Sequence, residues 1–146
     1  MAAMLLAAGC GDGEEKAGAS TLFHLATGDC FTSKAGTAGR TVELDDVTTV
    51  PCAQAHDGEV FAVVTHPAAK GDPYPGDEPV SDVAGSECLA QFQAYTGQAY
   101  DNSDLEVATV RPSRQSWEDR DDRQVSCIVY QQGAQLTGSR RTGAAG

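Results

Sequence analysis

The chain has 146 residues and a formal net charge of −11. A phosphate backbone repels a surface this acidic, so the composition excludes nucleic acid as a partner and disfavours direct contact with anionic lipid head groups. No apolar run approaches the about 20 residues of a transmembrane helix.

The N-terminal run at residues 4–10 (MLLAAGC) is apolar, ends in small residues and one cysteine, and precedes a polar, Gly-rich stretch. This pattern resembles the lipobox of bacterial lipoproteins. The resemblance implies that residues 1–9 are a signal remnant and that residues 10–21 hold the lipidated Cys10 and a flexible linker. The protein would then be extracytoplasmic, anchored to the outer face of the cytoplasmic membrane by its lipid. The alternative is an unmodified N-terminal segment with a free thiol.

The first half of the remaining chain is predicted to be mostly strand. Residues 22–31 lead through a Gly28-Asp29 turn into a short strand. Residues 41–50 alternate as a strand does, with a bulge or turn at Asp45-Asp46. Residues 59–65 form the strongest predicted strand because they are rich in β-branched and aromatic side chains. Residues 67–80 contain four prolines and are predicted as a loop.

The second half contains the principal helix. Ser81-Asp82 is predicted to open it, and its apolar positions recur at helical spacing up to a stop at Gly97. Residues 105–110 and 125–130 are predicted strands, separated by a polar loop, and residues 133–146 a flexible tail. The prediction is therefore an α+β domain over residues 22–132, with a small, mainly antiparallel sheet and one principal helix.

Four cysteines fall inside this domain: Cys30, Cys52, Cys88 and Cys127. An even number in an exported domain predicts disulfides, and no C-x-x-C spacing indicates a zinc site. Three pairings are open, of which we favour Cys30–Cys52 and Cys88–Cys127 because these are neighbours in sequence. Each bridge would contribute about 3–4 kcal/mol on the chain-entropy model.

An ordered set of short motifs runs through the domain. In chain order these are Gly28-Asp29-Cys30-Phe31, Val50-Pro51-Cys52, His56-Asp57-Gly58-Glu59-Val60-Phe61, Cys88, Phe92-x-x-Tyr95-x-Gly97, Pro112, Trp117 and Asp122-Arg123-Gln124-Val125-Ser126-Cys127. The set resembles the septum formation domain family of exported and membrane-anchored actinobacterial proteins, over about residues 27–130. The resemblance implies a role in cell division or envelope growth. This chain departs from the family by carrying Asp121 where a Gly usually makes a tight turn.

His56 is the first candidate site residue, because Asp57 and Glu59 flank it. An imidazole beside carboxylates suits a metal ligand or a general base. The alternative is a structural role in which the His56 ring donates to a backbone carbonyl at the turn before the strand. His24 and His66 sit in unrelated segments, and hydrolase motifs are missing. We therefore assign no catalytic residue, no metal site and no cofactor.

Trp117, the sole tryptophan, lies in the polar stretch between two predicted strands, and Tyr74 lies in the proline-rich loop. An aromatic ring in a polar loop can anchor a partner. It can also fold back as a lid over the sheet, with its indole N–H bonded to a carbonyl. Arg123 is expected to pair with Asp122 or Asp29.

Two main hypotheses follow for the function. The first is a lipid-anchored, non-enzymatic protein-interaction module of the cell envelope, whose partner is another envelope or division protein. Its contact surface would comprise His56, Tyr74 and Trp117. The alternative is a small metal-binding or enzymatic domain that uses His56 with Asp57 and Glu59. A third hypothesis is a passive spacer in the envelope.

Overall fold

The structure is a computed structural model that describes residues 19–20, 24–33 and 47–144. Its elements are β1 (Ala19–Ser20), β2 (Cys30–Ser33), β3 (Val47–Val50), β4 (Gly58–Thr65), α1 (Asp77–Thr96), β5 (Glu106–Val110), α2 (Arg114–Arg120) and β6 (Gln124–Tyr130), with a 3-10 turn at Tyr100–Asn102. The proposed lipid site Cys10 and the predicted bulge at Asp45-Asp46 lie outside the described residues.

The strands form one antiparallel sheet in the order β1-β3-β2-β4-β6-β5. The α+β prediction is confirmed, and so is the disulfide pairing: Cys30 is bonded to Cys52 and Cys88 to Cys127. The register of β4 on β6 shifts between Val60 and Ala62, which marks a bulge. Residues 19–20, predicted as linker, instead pair with β3 as its edge neighbour.

Two apolar clusters are formed by opposite faces of the central strands, because successive side chains of a strand point to opposite sides. On one face, Phe61 and Val129 pack with Phe92 of α1. On the other face, Val60 and Ile128 pack with Phe31 of β2. The second bridge, Cys88–Cys127, ties α1 to β6 inside the first cluster.

Helix α1 begins at Asp77, earlier than the predicted start at Ser81. The proline-rich stretch does not prevent this, because Pro79 lies in the first turn, where its missing N–H has no intrahelical partner to lose. Asp77 and Glu78 also place negative charge at the positive end of the helix dipole. The helix ends at Gly97, which takes the left-handed conformation, as the sequence predicted.

Helix α2 stands where the sequence predicted a polar loop, so that prediction was wrong. The side chain of Ser113 accepts from the Ser116 N–H at 3.0 Å, and the Ser116 side chain accepts from the Ser113 N–H at 3.0 Å. This reciprocal capping box starts a helix of only seven residues. Serine at the fourth position of the box, in place of Glu or Gln, explains why the helix start was missed.

Asp121 ends α2 in the left-handed conformation with φ 51°, the only non-glycine residue with positive φ in the described part of the chain. Aspartate tolerates this region better than most side chains do. Its carboxylate also accepts from the Gly71 N–H at 2.9 Å. The tight turn therefore forms without the glycine usual in the family.

Residues 133–144, which we call the C-terminal segment, are packed on the domain. The sequence predicted that the domain ends at residue 132 and that residues 133–146 form a flexible tail. The structure instead packs residues 133–144 against the domain. Leu136 is 1% exposed, and its backbone exchanges hydrogen bonds with the backbone of His56 at 2.8 and 2.9 Å. The Gly138 N–H donates to the Cys52 carbonyl at 2.7 Å. A single buried leucine in a Gly-rich, polar stretch gave too weak a pattern for the sequence to reveal this.

In the part of the chain that the structure describes, no helix combines the length and apolarity needed to cross a membrane.

Candidate functional site

Trp117 is part of helix α2, and its side chain is turned into the fold and not toward the surface. It is 1% exposed, and its indole N–H donates to the Asp72 carbonyl at 2.7 Å. The rings of Tyr74 and His66 meet it edge-on, with centroids 5.6 and 5.0 Å away. This is the lid arrangement that the sequence left open, in which the ring joins α2 to the proline-rich loop.

The guanidinium group of Arg123 packs over the same Trp117 ring. Its guanidinium lies 3.5 Å from the ring centroid of Trp117, an effective cation–π distance. The fork donates to the backbone carbonyls of Ala69 and Asp72 at 3.1 and 3.4 Å. Its charged partner is Asp121 at 3.6 Å, not the expected Asp122 or Asp29 side chain. Arg123 thus joins β6, α2 and the proline-rich loop.

The burial of this cluster changes the acid–base behaviour of its members. Burial, with the positive charge of Arg123 beside it, lowers the pKa of His66. The hydroxyl of Tyr74 donates to Asp77 at 2.5 Å, and this bond, with burial, raises the pKa of Tyr74. The ring of Tyr74 is 9% exposed and lies under the Arg114 guanidinium. The Tyr74 ring therefore packs with Trp117 inside the fold.

His56 is completely buried, and it is not among the aromatic and charged side chains that pack on the Trp117 ring in the described part of the chain, which are His66, Tyr74 and Arg123. Its Nδ1 is 2.8 Å from the Gln54 carbonyl, so this nitrogen carries the proton and donates. Nε2 is buried without a hydrogen-bond partner among the described residues. The structural role left open by the sequence, a ring bonded to a backbone carbonyl, is what the structure has.

The predicted contact surface of His56, Tyr74 and Trp117 therefore needs correction. The structure brings Tyr74 and Trp117 together but buries both, and it places His56 against Leu136 instead. A buried ring has already used its apolar area in the core, so it offers a partner nothing to bind without local unfolding.

The metal-binding or enzymatic alternative placed His56 with Asp57 and Glu59, but their side chains turn to separate partners. The Asp57 carboxylate accepts from the Ser33 N–H at 2.8 Å and from the Gln135 amide at 3.0 Å. Glu59, two residues further along the strand, points to α1. The three residues therefore do not converge on a shared site.

Within the described ranges, one set of three potential metal ligands lies within 4.8 Å: Cys30, Cys52 and Glu59. The two sulfur atoms of this set are bonded to each other, so neither is available as a thiolate. The donor set is therefore incompatible with a metal while the disulfide is intact.

Glu59 is the most unusual polar residue in the fold, because it is 0% exposed in the strongest apolar strand. One carboxylate oxygen accepts from the Tyr95 and Ser139 hydroxyls, at 2.5 and 2.6 Å. The other accepts from the Arg140 N–H at 2.7 Å. We call this the Glu59 network. Burial, together with the hydrogen bond to Glu59, raises the pKa of Tyr95 to about 12.

The Glu59 network fixes the C-terminal segment across the end of α1. The Thr142 N–H donates to the Tyr95 carbonyl at 2.7 Å, and the Arg141 guanidinium lies 5.4 Å from the Tyr95 ring centroid. The donated N–H satisfies one carbonyl that a helix leaves open at its end. A carboxylate in an apolar strand signals such a buried partnership, but the sequence gave no means of naming Tyr95, Ser139 and Arg140 as its partners.

Two clefts flank the C-terminal segment. The larger, of about 320 Å³, has Thr96, Asp104 and Arg140 among its lining residues. The smaller, of about 260 Å³, lies by Tyr95 and Arg141. The sequence predicted neither cleft, because residues 133–146 are expected from it to form a flexible tail.

Comparison with known proteins now decides the family. The chain matches the septum formation family over residues 27–146. The chain belongs to the septum formation family. The match includes the C-terminal segment, which agrees with its packing onto the domain. The sequence resemblance, drawn over about residues 27–130, is thereby confirmed.

The chain is also 32% identical, over 130 residues, to a Mycobacterium tuberculosis protein described as "Putative lipoprotein LppN", and equally to its Mycobacterium bovis counterpart. The alignment covers 87% of this chain and 68% of each relative. No solved structure matches the chain. The family and these relatives fit a cell-envelope lipoprotein.

Proposed function

We propose that this chain is a lipid-anchored, non-enzymatic protein of the cell envelope that contacts another envelope or division protein during septum formation or envelope growth. One observation carries the proposal: a septum formation domain spans residues 27–146 of a chain that is similar to a mycobacterial protein named as a lipoprotein. The lipid would sit on Cys10, at the end of the lipobox-like run.

Two features of the fold support this function. Both disulfides suit an oxidising compartment outside the cytoplasm. The side chains that could have formed a reactive centre are engaged inside the fold, since Asp57 and Glu59 hold different backbone and side-chain donors. A protein-interaction module binds its partner through exposed residues, so buried groups such as Asp57 and Glu59 would serve only to stabilise the domain.

The test is complementation of a deletion strain in the native host, read by septum spacing and by the fraction of protein in the membrane. The chain with Cys10→Ser cannot be acylated, whereas Gly11→Ser makes a matched polar change one residue away. We expect Gly11→Ser to restore normal septa and to fractionate with the membrane. We expect Cys10→Ser to be released from the membrane and to restore septa poorly.

Two outcomes would overturn the proposal. Normal septa in the deletion strain would reduce the protein to a passive spacer. Full membrane retention of the Cys10→Ser chain would show that the anchor is not the lipid on Cys10.

A further inference from the structure

The larger cleft beside the C-terminal segment has the dimensions of a small-ligand site. Its volume of about 320 Å³ lies at the lower end of the range found for such sites, roughly 300–1,000 Å³. It is bounded by the end of α1, by the loop before β5 and by the C-terminal segment. A site at this lower limit suits a ligand of a few residues or one small ring.

The walls of this cleft carry one positive and one negative side chain, Arg140 and Asp104. Most of the other lining groups are hydroxyls and amides, which include Thr96, Gln98 and Gln131. Among the residues that the structure describes, no aromatic ring lines the cleft, so they offer no stacking surface of the kind that sugar rings commonly use. The lining therefore favours a ligand with charged ends and amide groups over a sugar.

Arg140 is held in place but its hydrogen-bonding capacity is not filled. Its backbone N–H is fixed by Glu59 at 2.7 Å, and its Nη2 donates to the Thr137 carbonyl at 2.9 Å. Its Nε is buried and has no hydrogen-bond partner among the described residues. Because Nε is buried, a carboxylate in the cleft would accept from the Nη end of the guanidinium, whose bond to Thr137 is exposed, in a charge-assisted hydrogen bond.

The net charge of the whole chain further restricts the chemical class of ligand that the cleft can bind. A net charge of −11 disfavours an anion, even one that fits Arg140. A ligand with both a carboxylate and an ammonium group avoids this repulsion, and Asp104 supplies the partner for the second group. Opposite charges in one cleft thus select a zwitterion.

We propose that this cleft binds a short zwitterionic peptide, with its terminal carboxylate on Arg140, its terminal ammonium group on Asp104 and its peptide groups on Gln98 and Gln131. Glu59 is a positioning residue for this site, because its carboxylate accepts from the Ser139 hydroxyl and from the Arg140 backbone N–H. The inference goes beyond the proposed function, which names no small ligand. It stands or falls independently of the lipid on Cys10.

The test is isothermal titration calorimetry of the full chain, purified from its native host in detergent, with trialanine as the probe. Trialanine amide removes the carboxylate, N-acetyl-trialanine removes the ammonium group, and N-acetylglucosamine represents a sugar. We expect trialanine to bind, and each modified peptide to bind about tenfold more weakly or worse. N-acetylglucosamine should give no heat.

Two matched variants locate the site. Arg140→Gln keeps the backbone N–H that Glu59 needs and should weaken trialanine binding about tenfold. Arg141→Gln removes the same charge one residue away, at the ring of Tyr95, and should leave binding unchanged. Asp104→Asn should weaken trialanine but leave N-acetyl-trialanine unaffected.

Three results would overturn the inference: no heat with trialanine, equal binding of trialanine and its amide, or preferential binding of the sugar. Equal loss in Arg140→Gln and Arg141→Gln would also overturn it, because general charge would then explain the effect. If Arg140→Gln does not fold, the comparison of trialanine with its amide on the unaltered chain still decides the matter.

Discussion

The buried Glu59 network predicts a specific stability loss in Tyr95→Phe. This change removes the hydroxyl that donates to Glu59 at 2.5 Å but keeps the ring, whose centroid lies 6.2 Å from that of Phe61. A hydrogen bond to a charged group contributes about 1.5–3 kcal/mol. Glu59 is 0% exposed, so bulk solvent has no direct access to the oxygen that loses this donor. We therefore expect the free energy of unfolding to fall by about 2 kcal/mol.

Urea unfolding followed by circular dichroism measures this loss. With a urea dependence of about 2 kcal/mol per molar, the midpoint should fall by about 1 M. The matched control is Tyr100→Phe, which also deletes a hydroxyl bonded to a glutamate, Glu106, at 3.1 Å. That bond is exposed, so its loss should cost well under about 1 kcal/mol.

A double-mutant cycle sharpens the same test. The hydroxyls of Tyr95 and Ser139 donate to the same oxygen of Glu59, so their losses should not be additive. The reasoning is refuted if Tyr95→Phe costs no more than Tyr100→Phe. It is also refuted if the Tyr95→Phe and Ser139→Ala losses simply add.

Four further predictions rest on single residues. The pKa of Tyr95 is raised to about 12, so its contribution to stability is complete below pH 10 and is lost as the pH rises through 12. Across pH 9–12 the unfolding free energy should therefore fall more steeply in the unaltered chain than in Tyr95→Phe. Equal slopes would contradict this. Leu136→Ala should lower the unfolding free energy by about 2–4 kcal/mol, because Leu136 is fully buried; a change under about 1 kcal/mol would mean that the C-terminal segment is not part of the folded domain. Asp121→Ala should be less stable than Asp121→Gly by about 1 kcal/mol, since glycine adopts the left-handed conformation at this position without steric strain. Urea midpoints in the reverse order would show that residue 121 does not take the left-handed conformation. The fluorescence of the single tryptophan, Trp117, should peak at short wavelength and resist acrylamide quenching, because the ring is buried. Emission typical of a solvated indole would show that the ring is exposed.

The sequence predicted the parts of this fold that carry strong local patterns. Strand β4 and the C-terminal end of α1 follow directly from β-branched content and from Gly97. The disulfide pairing followed from nearest neighbours in sequence and was confirmed. In each case the local residues and the tertiary structure favour the same arrangement.

The missed parts depend on contacts between residues far apart in the chain. Helix α2 is short and polar, and it is held by Trp117 and Arg123, which contact a loop about 50 residues away. The C-terminal segment is fixed by Leu136 and by the bonds from Ser139 to Glu59, across a separation of 80 residues. A polar segment without periodicity gives no local signal of such packing. The sequence therefore left open whether Trp117 is an exposed anchor or a buried ring, and the structure makes it a core residue.

Non-reducing peptide mapping by mass spectrometry, on the protein extracted from its native envelope, tests the central claim most directly. The account predicts that Cys10 carries the mass of an acyl-modified lipoprotein N-terminus. It also predicts that Cys30–Cys52 and Cys88–Cys127 appear as linked pairs. An unmodified Cys10 together with free thiols at Cys30 and Cys52 would contradict the account, because the chain would then be neither anchored by lipid nor oxidised outside the cytoplasm.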